Sequence, residues 1–266
     1  MITPLTVVLW KWGTKYTSEH VNVMFQNLKR YLKVQHHVLC ITDDPTGLDN
    51  GVWIYPLPCE LERMNSRRLW IFSDEAKRLG SRILQLDIDQ VLTGDITALI
   101  DRPEPFVIWK SSSHGTKLGY ALNPSVLLMN TGKYSLIWEK FVADPAACLM
   151  EAYRNGGVAS DQAVITYMLS TSAPMTGYTG TDRDYTKSYI AKSESEGRAQ
   201  RRPFVPMWDD RDGILSYRDH LQCNPYTHPE GAKIVSFFGD FDPINYKHLP
   251  WVESYWNYSP AQKEYA

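Results

Sequence analysis

Residues Ser81 to Leu99 read SRILQLDIDQVLTGDITAL, and the fold turns on how this stretch is understood. Ile83, Leu84 and Leu86 form a short apolar run of the kind a buried strand carries, and Asp87 and Asp89 end it abruptly. Side chains at i and i+2 of a strand point to one side, so the two carboxylates face one space unless the chain turns between them. Like charges held that close are unfavourable, and protonation of one acid or a bound divalent cation relieves the repulsion. The spacing fits equally well a strand whose acids merely end it and cap the next element, with Gly94 and Asp95 making a turn.

The segments before the acidic pair predict alternating strand and helix. Thr6 to Trp10 is β-branched and apolar, a strand, and Lys11 to Thr17 is a polar loop with one glycine. Val21, Met24, Phe25, Leu28 and Leu32 recur at spacings of three and four, which predicts an amphipathic helix begun near Thr17 or Ser18. His37 to Thr42 reads as a second strand, ended by the turn Asp43-Asp44-Pro45-Thr46-Gly47, and Ser66 to Leu79 as a second helix. Strand, helix, strand opens a mostly parallel α/β sheet. Ligands of such sheets gather at the carboxyl ends of strands, where Lys11 to Tyr16, Asp43 and Asp87 to Asp89 fall.

After the pair, Phe106 to Trp109 and Val126 to Met129 read as strands, with the loop Lys110 to Gly119 between them. Helices are expected over Tyr134 to Val142, Ala146 to Tyr153 and Asp161 to Leu169, the last with Ser160 as N-cap. From Thr171 to Arg202 periodicity disappears, and the Ser-, Thr-, Gly- and charge-rich segment reads as a long mobile loop. A last strand is expected over Lys233 to Phe238, running into Gly239-Asp240-Phe241-Asp242-Pro243 and an aromatic tail.

A chain of 266 residues, 43% hydrophobic, can bury a sizeable core and reads as one domain with an irregular C-terminal lobe. The net charge of −2 gives no global basic field to draw in nucleic acid or an anionic membrane. Leu5 to Trp10 is too short, and lacks the preceding basic residues, for a signal peptide. No run approaches the ~20 apolar residues of a membrane span. Cys40, Cys59, Cys148 and Cys223 are far apart and form no CxxC pair, which argues against a zinc site and a disulfide framework. The expectation is a soluble, cytoplasmic protein of a reducing compartment.

Several motifs together resemble glycosyltransferases of the GT-A fold, especially family eight, the glycogenin and bacterial galactosyltransferase group, and its bacterial and phage relatives. LQLDIDQVLTGDI is similar to that group's strand and DxD element. WKWGTKYTSEHVNVMFQNLKRYL followed by CITDDPTGLDNG resembles its first strand, helix and second strand, and NSRRLWIF its arginine-bearing helix. LNPSVLLMNTG resembles the Asn-Ser-Gly strand, SDQAVITYML the Asp-Gln helix, and KIVSFFGDFDP with PWVESYW the C-terminal signature. The resemblance implies one GT-A domain over 1–266, with a nucleotide-sugar-binding half at 1–110 and an acceptor-side half at 111–266 that contains the loop 171–202.

It further implies transfer of a sugar, most simply from a UDP-sugar, with retention of anomeric configuration. Mn²⁺ or Mg²⁺ would bridge the DxD carboxylates and the diphosphate, stabilising the charge of the leaving nucleoside diphosphate. Asp89 would be the direct ligand, and Asp87 would be shared between metal and ribose; hard oxygens suit either ion. Arg68 or Arg67 would neutralise phosphate in a forked contact. Trp12 and Tyr16, with Gly13 and Lys15 between them, would flank the base, and Asp43 would accept a hydrogen bond from it. Asn123, Asp161 and Gln162 would contact donor sugar and acceptor, with Asp161 and Gln162 facing the side opposite the leaving group. Each has a plainer reading: a core aromatic, a solvated arginine, a turn Asn before Pro124, a helix-terminal acid.

The chain departs from the family pattern at its far end. The histidine that commonly precedes the motif's glycine is missing, since Ser236, Phe237 and Phe238 stand before Gly239. Asp240, Asp242 or His248 could supply the third metal ligand, or water and substrate oxygens could complete the shell. The lysine often found after that glycine is also missing, with Asp242 near its place. Two other functions therefore stay open: a degenerate protein that only binds nucleotide-sugar or glycan, and a nucleotidyltransferase, although Lys11 to Thr17 has only one glycine where a phosphate loop is usually richer. A glycan, a lipid-linked sugar, a protein side chain or a modified nucleobase in DNA would all serve as acceptor. The basic run Gly197 to Arg202, with Arg211 and Arg218, would carry the nucleic-acid option.

Overall fold

Apolar residues on both sides of each central strand dictate a sheet covered on both faces. In the computed structural model, which describes residues 5–58, 65–110, 122–156, 159–171 and 205–257, strand β1 (Leu5–Lys11) is buried along its whole length. Its Val8 and Trp10 enter one core cluster, while Leu5, Val7 and Leu9 enter another on the opposite face. The same alternation separates Ile83 from Leu84 and Leu86 in β4 (Arg82–Leu86). Against the second face packs helix α1 (Ser18–Tyr31), which contributes Val21, Met24, Phe25 and Leu28. His20 at its third position accepts a hydrogen bond from the Thr17 backbone N–H at 3.2 Å and so helps to cap its start.

Four strands, β3 (Trp53–Pro56), β2 (His36–Thr42), β1 and β4, lie parallel in that order. Next comes β7 (Leu122–Asn130), antiparallel to β4 and to β6 (Phe106–Lys110), and the two-residue β8 (Met207–Trp208) completes the seven-stranded sheet. The reversal of β7 has a functional consequence. Its first residues, not its last, reach the rim where the parallel strands end, and Asn123 is carried there. Helix α2 (Thr97–Ile100) is a single turn. Helices α3 (Ser135–Ala143), α4 (Pro145–Gly156) and α5 (Asp161–Thr171) belong to the first face, with Ile137, Phe141, Leu149, Ala152, Val164, Ile165 and Met168 buried in its cluster.

A second sheet of three strands is built from β5 (Gln90–Leu92), β10 (Ile234–Ser236) and β9 (Ile214–Ser216). The strand expected over 233–238 is this short β10, which lies outside the central sheet and pairs antiparallel with β5, directly after the acidic pair. The single helix expected over 66–79 is two short 3₁₀ segments, Asn65–Phe72 and Glu75–Leu79. Ser73 breaks it: its hydroxyl accepts from the Ala76 N–H at 3.2 Å, a local bond that competes with helix continuation. The loop 171–202 falls outside the described residues except at Thr171. Among the described residues no helix is long and apolar enough to cross a membrane.

Three strands are locked by one amide. Gln85, fully buried, accepts from Trp10 Nε1 at 2.9 Å and donates to the Pro124 carbonyl at 2.8 Å, joining β1, β4 and β7 below the rim. Replacing it with leucine leaves a buried N–H and a buried carbonyl without partners, each costing about 1–3 kcal/mol. Gln85→Leu is expected to lower unfolding stability by at least about 2 kcal/mol in denaturant titration; an unchanged midpoint would contradict this role.

Candidate functional site

The strand ends do converge. Asp87 and Asp89 stand immediately after β4, where the chain turns before β5, so Asp87 is partly exposed and Asp89 is 5% exposed. The two acids are held by different partners. Arg68, on the 3₁₀ segment whose Leu69, Trp70, Ile71 and Phe72 are buried, inserts between Asp87 and Asp161. Its Nη1 donates to Asp87 Oδ1, while Nε and Nη2 reach Asp161 Oδ2 at 2.9 and 2.8 Å. Asp161 begins α5, and Ser160 caps that helix by accepting from the Ala163 N–H at 3.3 Å. Burial works against the charge of Arg68, but Asp161 and Asp87 outweigh it and hold the guanidinium protonated. Burial also raises the pKa of Asp161, with Arg68 opposing it.

Asp89 has a different environment. Its Oδ2 accepts from the Tyr16 hydroxyl at 2.5 Å, while its Oδ1 is buried and has no hydrogen-bond partner among the described residues. Burial, then the neighbouring charge of Asp87, pushes its pKa up to about 7. Burial and then Asp89 likewise raise the pKa of Tyr16. An unpaired buried carboxylate oxygen is costly unless something meets it. Two adjacent carboxylates with one such oxygen fit Mg²⁺ or Mn²⁺, which bind through one or two carboxylates together with phosphate oxygens and water. Among the described residues no group of three His, Cys, Asp or Glu could hold a metal by itself.

The residues considered as a third ligand lie as follows. Asp242 faces His20, whose Nε2 is 3.1 and 3.2 Å from its two oxygens. Asp242 also accepts from the Ile244 N–H at 3.0 Å, and despite partial burial these bonds hold its carboxyl below the ordinary range. Asp240 and His248 are exposed.

The acids open into a cavity of about 520 Å³. Trp12, Gly13, Lys15 and Tyr16 line it from the β1–α1 loop, Arg68 and Gln162 from the other side. Asp43 holds that loop by accepting from the Gly13 N–H at 2.9 Å. Trp12 packs edge-on to Trp10 with 6.1 Å between centroids, and Lys15 lies 4.6 Å above the Tyr16 ring. Gln162 Nε2 donates to Asn123 Oδ1 at 3.1 Å, so β7 and the start of α5 meet at the cavity wall. Asp161 is turned away: Arg68 takes its Oδ2, and the Gln162 N–H takes its Oδ1 at 2.9 Å. Of that pair it is Gln162 that lines the cavity, while Asp161 positions Arg68.

Sequence reasoning missed Arg218, Phe238 and Gly239 as cavity residues. They reach the wall through β9 and β10, and the short buried triplets Ile214 to Ser216 and Ile234 to Ser236, each two aliphatic residues and a serine, are the signal that could have placed them. Arg211, grouped with Arg218 in the sequence, is paired with Asp209 at 2.9 Å, and the rest of that basic run lies outside the described residues.

A mostly parallel α/β sheet with an acidic pair at its carboxyl rim, and a second small sheet packed beside it, is the architecture of the GT-A class. No family model and no curated protein matches the sequence. Solved structures do match. Glycosyltransferase GlyE of Streptococcus pneumoniae TIGR4, at 15% identity, superposes on 97% of this chain with a TM-score of 0.53, and its apo form does so with 0.57. Galactosyltransferase LgtC, in complex with donor and acceptor sugar analogs, covers 96% of this chain at 11% identity with a TM-score of 0.53. The chain covers 97% of that LgtC structure but only 61% of the pneumococcal protein. At these identities the likeness is one of fold, and this chain has the GT-A glycosyltransferase fold.

Removing Arg68 leaves Asp161, whose side chain is 2% exposed, as a buried charge without its counterion. Arg68→Met is expected to cost about 3–5 kcal/mol of stability, as broken buried ion pairs do. Adding Asp161→Asn should return more than about 1 kcal/mol of it in a double-mutant cycle. Additive losses would show that the two side chains do not depend on each other.

Proposed function

We propose that this chain is a metal-dependent glycosyltransferase that moves a sugar from a nucleotide-sugar, in the first instance a UDP-sugar, to an acceptor with retention of anomeric configuration. The observation that carries the reading is the Asp87–Asp89 pair lining a cavity of about 520 Å³, with one buried carboxylate oxygen that has no hydrogen-bond partner among the described residues. The fold shared with GlyE and LgtC, the latter solved with donor and acceptor sugar analogs, supports it.

In the reaction the bond between the anomeric carbon and the diphosphate oxygen breaks, and its electron pair leaves with the nucleoside diphosphate. The acceptor hydroxyl oxygen bonds to the anomeric carbon, and its proton passes to the oxygen of the departing diphosphate. Asp87 and Asp89 would hold Mn²⁺ or Mg²⁺, which when bound neutralises the charge that develops on the leaving group. Tyr16 orients Asp89, and Arg68 orients Asp87. Trp12 and the Gly13 backbone, fixed by Asp43, offer a surface for the base. Gln162 would present its amide to the sugar, while Asn123, buried and outside the cavity lining, holds the Gln162 side chain.

Nucleotide release from UDP-, GDP- and dTDP-sugars in the presence of Mn²⁺ tests the reading. Release is expected with at least one donor, slowly as hydrolysis without acceptor, and Asp89→Ala should lower it by about 100-fold or more, the scale of losing an electrostatic stabiliser of the transition state. No release from any donor, while Asp89→Ala still binds donor like the wild type, would contradict transfer and leave a nucleotide-sugar-binding protein.

A further inference from the structure

The other end of the central sheet is basic. β4 runs from Arg82 toward the acidic pair, so its two ends lie roughly 16 Å apart, and a cavity of about 600 Å³ opens at the first of them. Lys77, Ser81, Arg82, Asn130, Thr131 and Lys133 line it, three cations and no acid, in a chain whose net charge is −2. The antiparallel pairing of β4 with β7 brings these residues together: Arg82 stands opposite Asn130, and the Thr131 N–H donates to the Ser81 carbonyl at 3.1 Å. Gly132 then turns the chain with φ of +72°. An ideal Cβ there would lie 2.0 Å from Lys77 Cε, so glycine lets Lys77 lie along the turn that carries Lys133.

Each cation is held differently. Arg82 Nη1 donates to the Glu104 carbonyl at 3.1 Å and to Asn130 Oδ1 at 2.7 Å, and its Nη2 donates to the Arg102 carbonyl at 2.6 Å. These acceptors are neutral. They fix the guanidinium without compensating its charge, and its Nε–H has no partner among the described residues. Burial lowers the pKa of Arg82, and Glu104, which opposes this, is itself paired with Arg102. The Asn130 side-chain NH₂ has no partner among the described residues either, since only its oxygen faces Arg82. Lys133 is exposed and makes no hydrogen bond or ion pair with the described residues, whereas Lys77 pairs with Asp74 at 2.6 Å. A half-buried guanidinium positioned by carbonyls, beside an ammonium without a counterion, is electrostatically completed by an anion with several oxygens.

We infer that this cavity binds the phosphate group of a small phosphorylated molecule, with Arg82, Asn130 and Lys133 as its donors. The assignment is independent of the nucleotide-sugar reading, because the site lies at the opposite rim of the sheet. Calorimetric titration of inorganic phosphate and of glucose 6-phosphate, without divalent metal, into wild type, Lys133→Glu, Arg82→Lys and the control Lys140→Glu is the experiment. Lys140 is exposed on α3 and lines neither cavity. Lys133→Glu should weaken both ligands by at least about 10-fold, the scale of losing a charge-assisted contact. Lys140→Glu should behave as wild type, which separates a site from general charge. Arg82→Lys keeps the charge but loses the planar fork, and it is expected to weaken both ligands by about 10-fold. If Arg82→Lys fails to fold, Lys133→Glu decides, since the lysine it removes has no contact to lose. A wild type that binds neither ligand overturns the assignment, and so does unchanged affinity in folded Lys133→Glu. Phosphate that UDP with Mn²⁺ displaces overturns it as well, because such phosphate would sit in the acidic cavity.

Discussion

One guanidinium between two carboxylates holds the site together. Asp87 and Asp161 come from different parts of the chain, one after β4 and the other at the start of α5; Asp161 is drawn out of water, while Asp87 stays partly exposed. Desolvating a carboxylate costs several kcal/mol, and only a partner of opposite charge with good hydrogen-bond geometry offsets it. Arg68 is that partner for both. Asp87 is met by Arg68, whereas Asp89 has the Tyr16 hydroxyl on one oxygen and no hydrogen-bond partner among the described residues on the other. The site is thus asymmetric: one acid is structural in its contacts, the other unfinished.

The far end of the chain closes the same space through backbone pairing. The Phe237 N–H donates to the Asp89 carbonyl at 3.0 Å, and β10 continues this contact along β5, so residues near 236 are fixed to the acidic turn itself. On the other side of α1, His20 carries its hydrogen toward Asp242, because its Nδ1 already accepts from the Thr17 N–H. The side chain that begins helix α1 therefore also anchors the C-terminal segment. These two links explain why Arg218, Phe238 and Gly239 can line the same cavity as residues 12–16, with Lys15 Nζ reaching the Gly239 carbonyl, although the two segments are far apart in sequence.

Much of this was legible in the residues, because period-two burial and helical spacing are local properties. The strands through Val8, Cys40, Ile83 and Val126, the helix beginning at Ser18 and the Ser160 cap all follow from short-range patterns. The acidic pair, the β1–α1 loop and Asp43 were legible as a group, since strand ends of an α/β sheet share a rim, whereas Asn123 and Gln162 entered only through the family resemblance. What escaped depends on distant partners. Trp53 to Pro56 forms an edge strand with exposed Trp53 and Ile54, so burial left no mark on it. Ser73 split a segment whose apolar spacing reads as one helix. Arg68 carries the fork that phosphate would use, and a sequence does not reveal that two buried acids stand nearer to it. Arg218 resembled its neighbour Arg211 in composition, yet one pairs with Asp209 and the other rests on Phe238 and Phe241.

The central claim is that the unpartnered oxygen of Asp89 meets a divalent ion that also holds a nucleoside diphosphate. Electron paramagnetic resonance of Mn²⁺ titrated into the protein, with and without UDP, tests this most directly. The account predicts a bound-Mn²⁺ signal that tightens strongly when UDP is added and is lost in Asp89→Asn. A signal that is indifferent to UDP, or equal in wild type and Asp89→Asn, would contradict it.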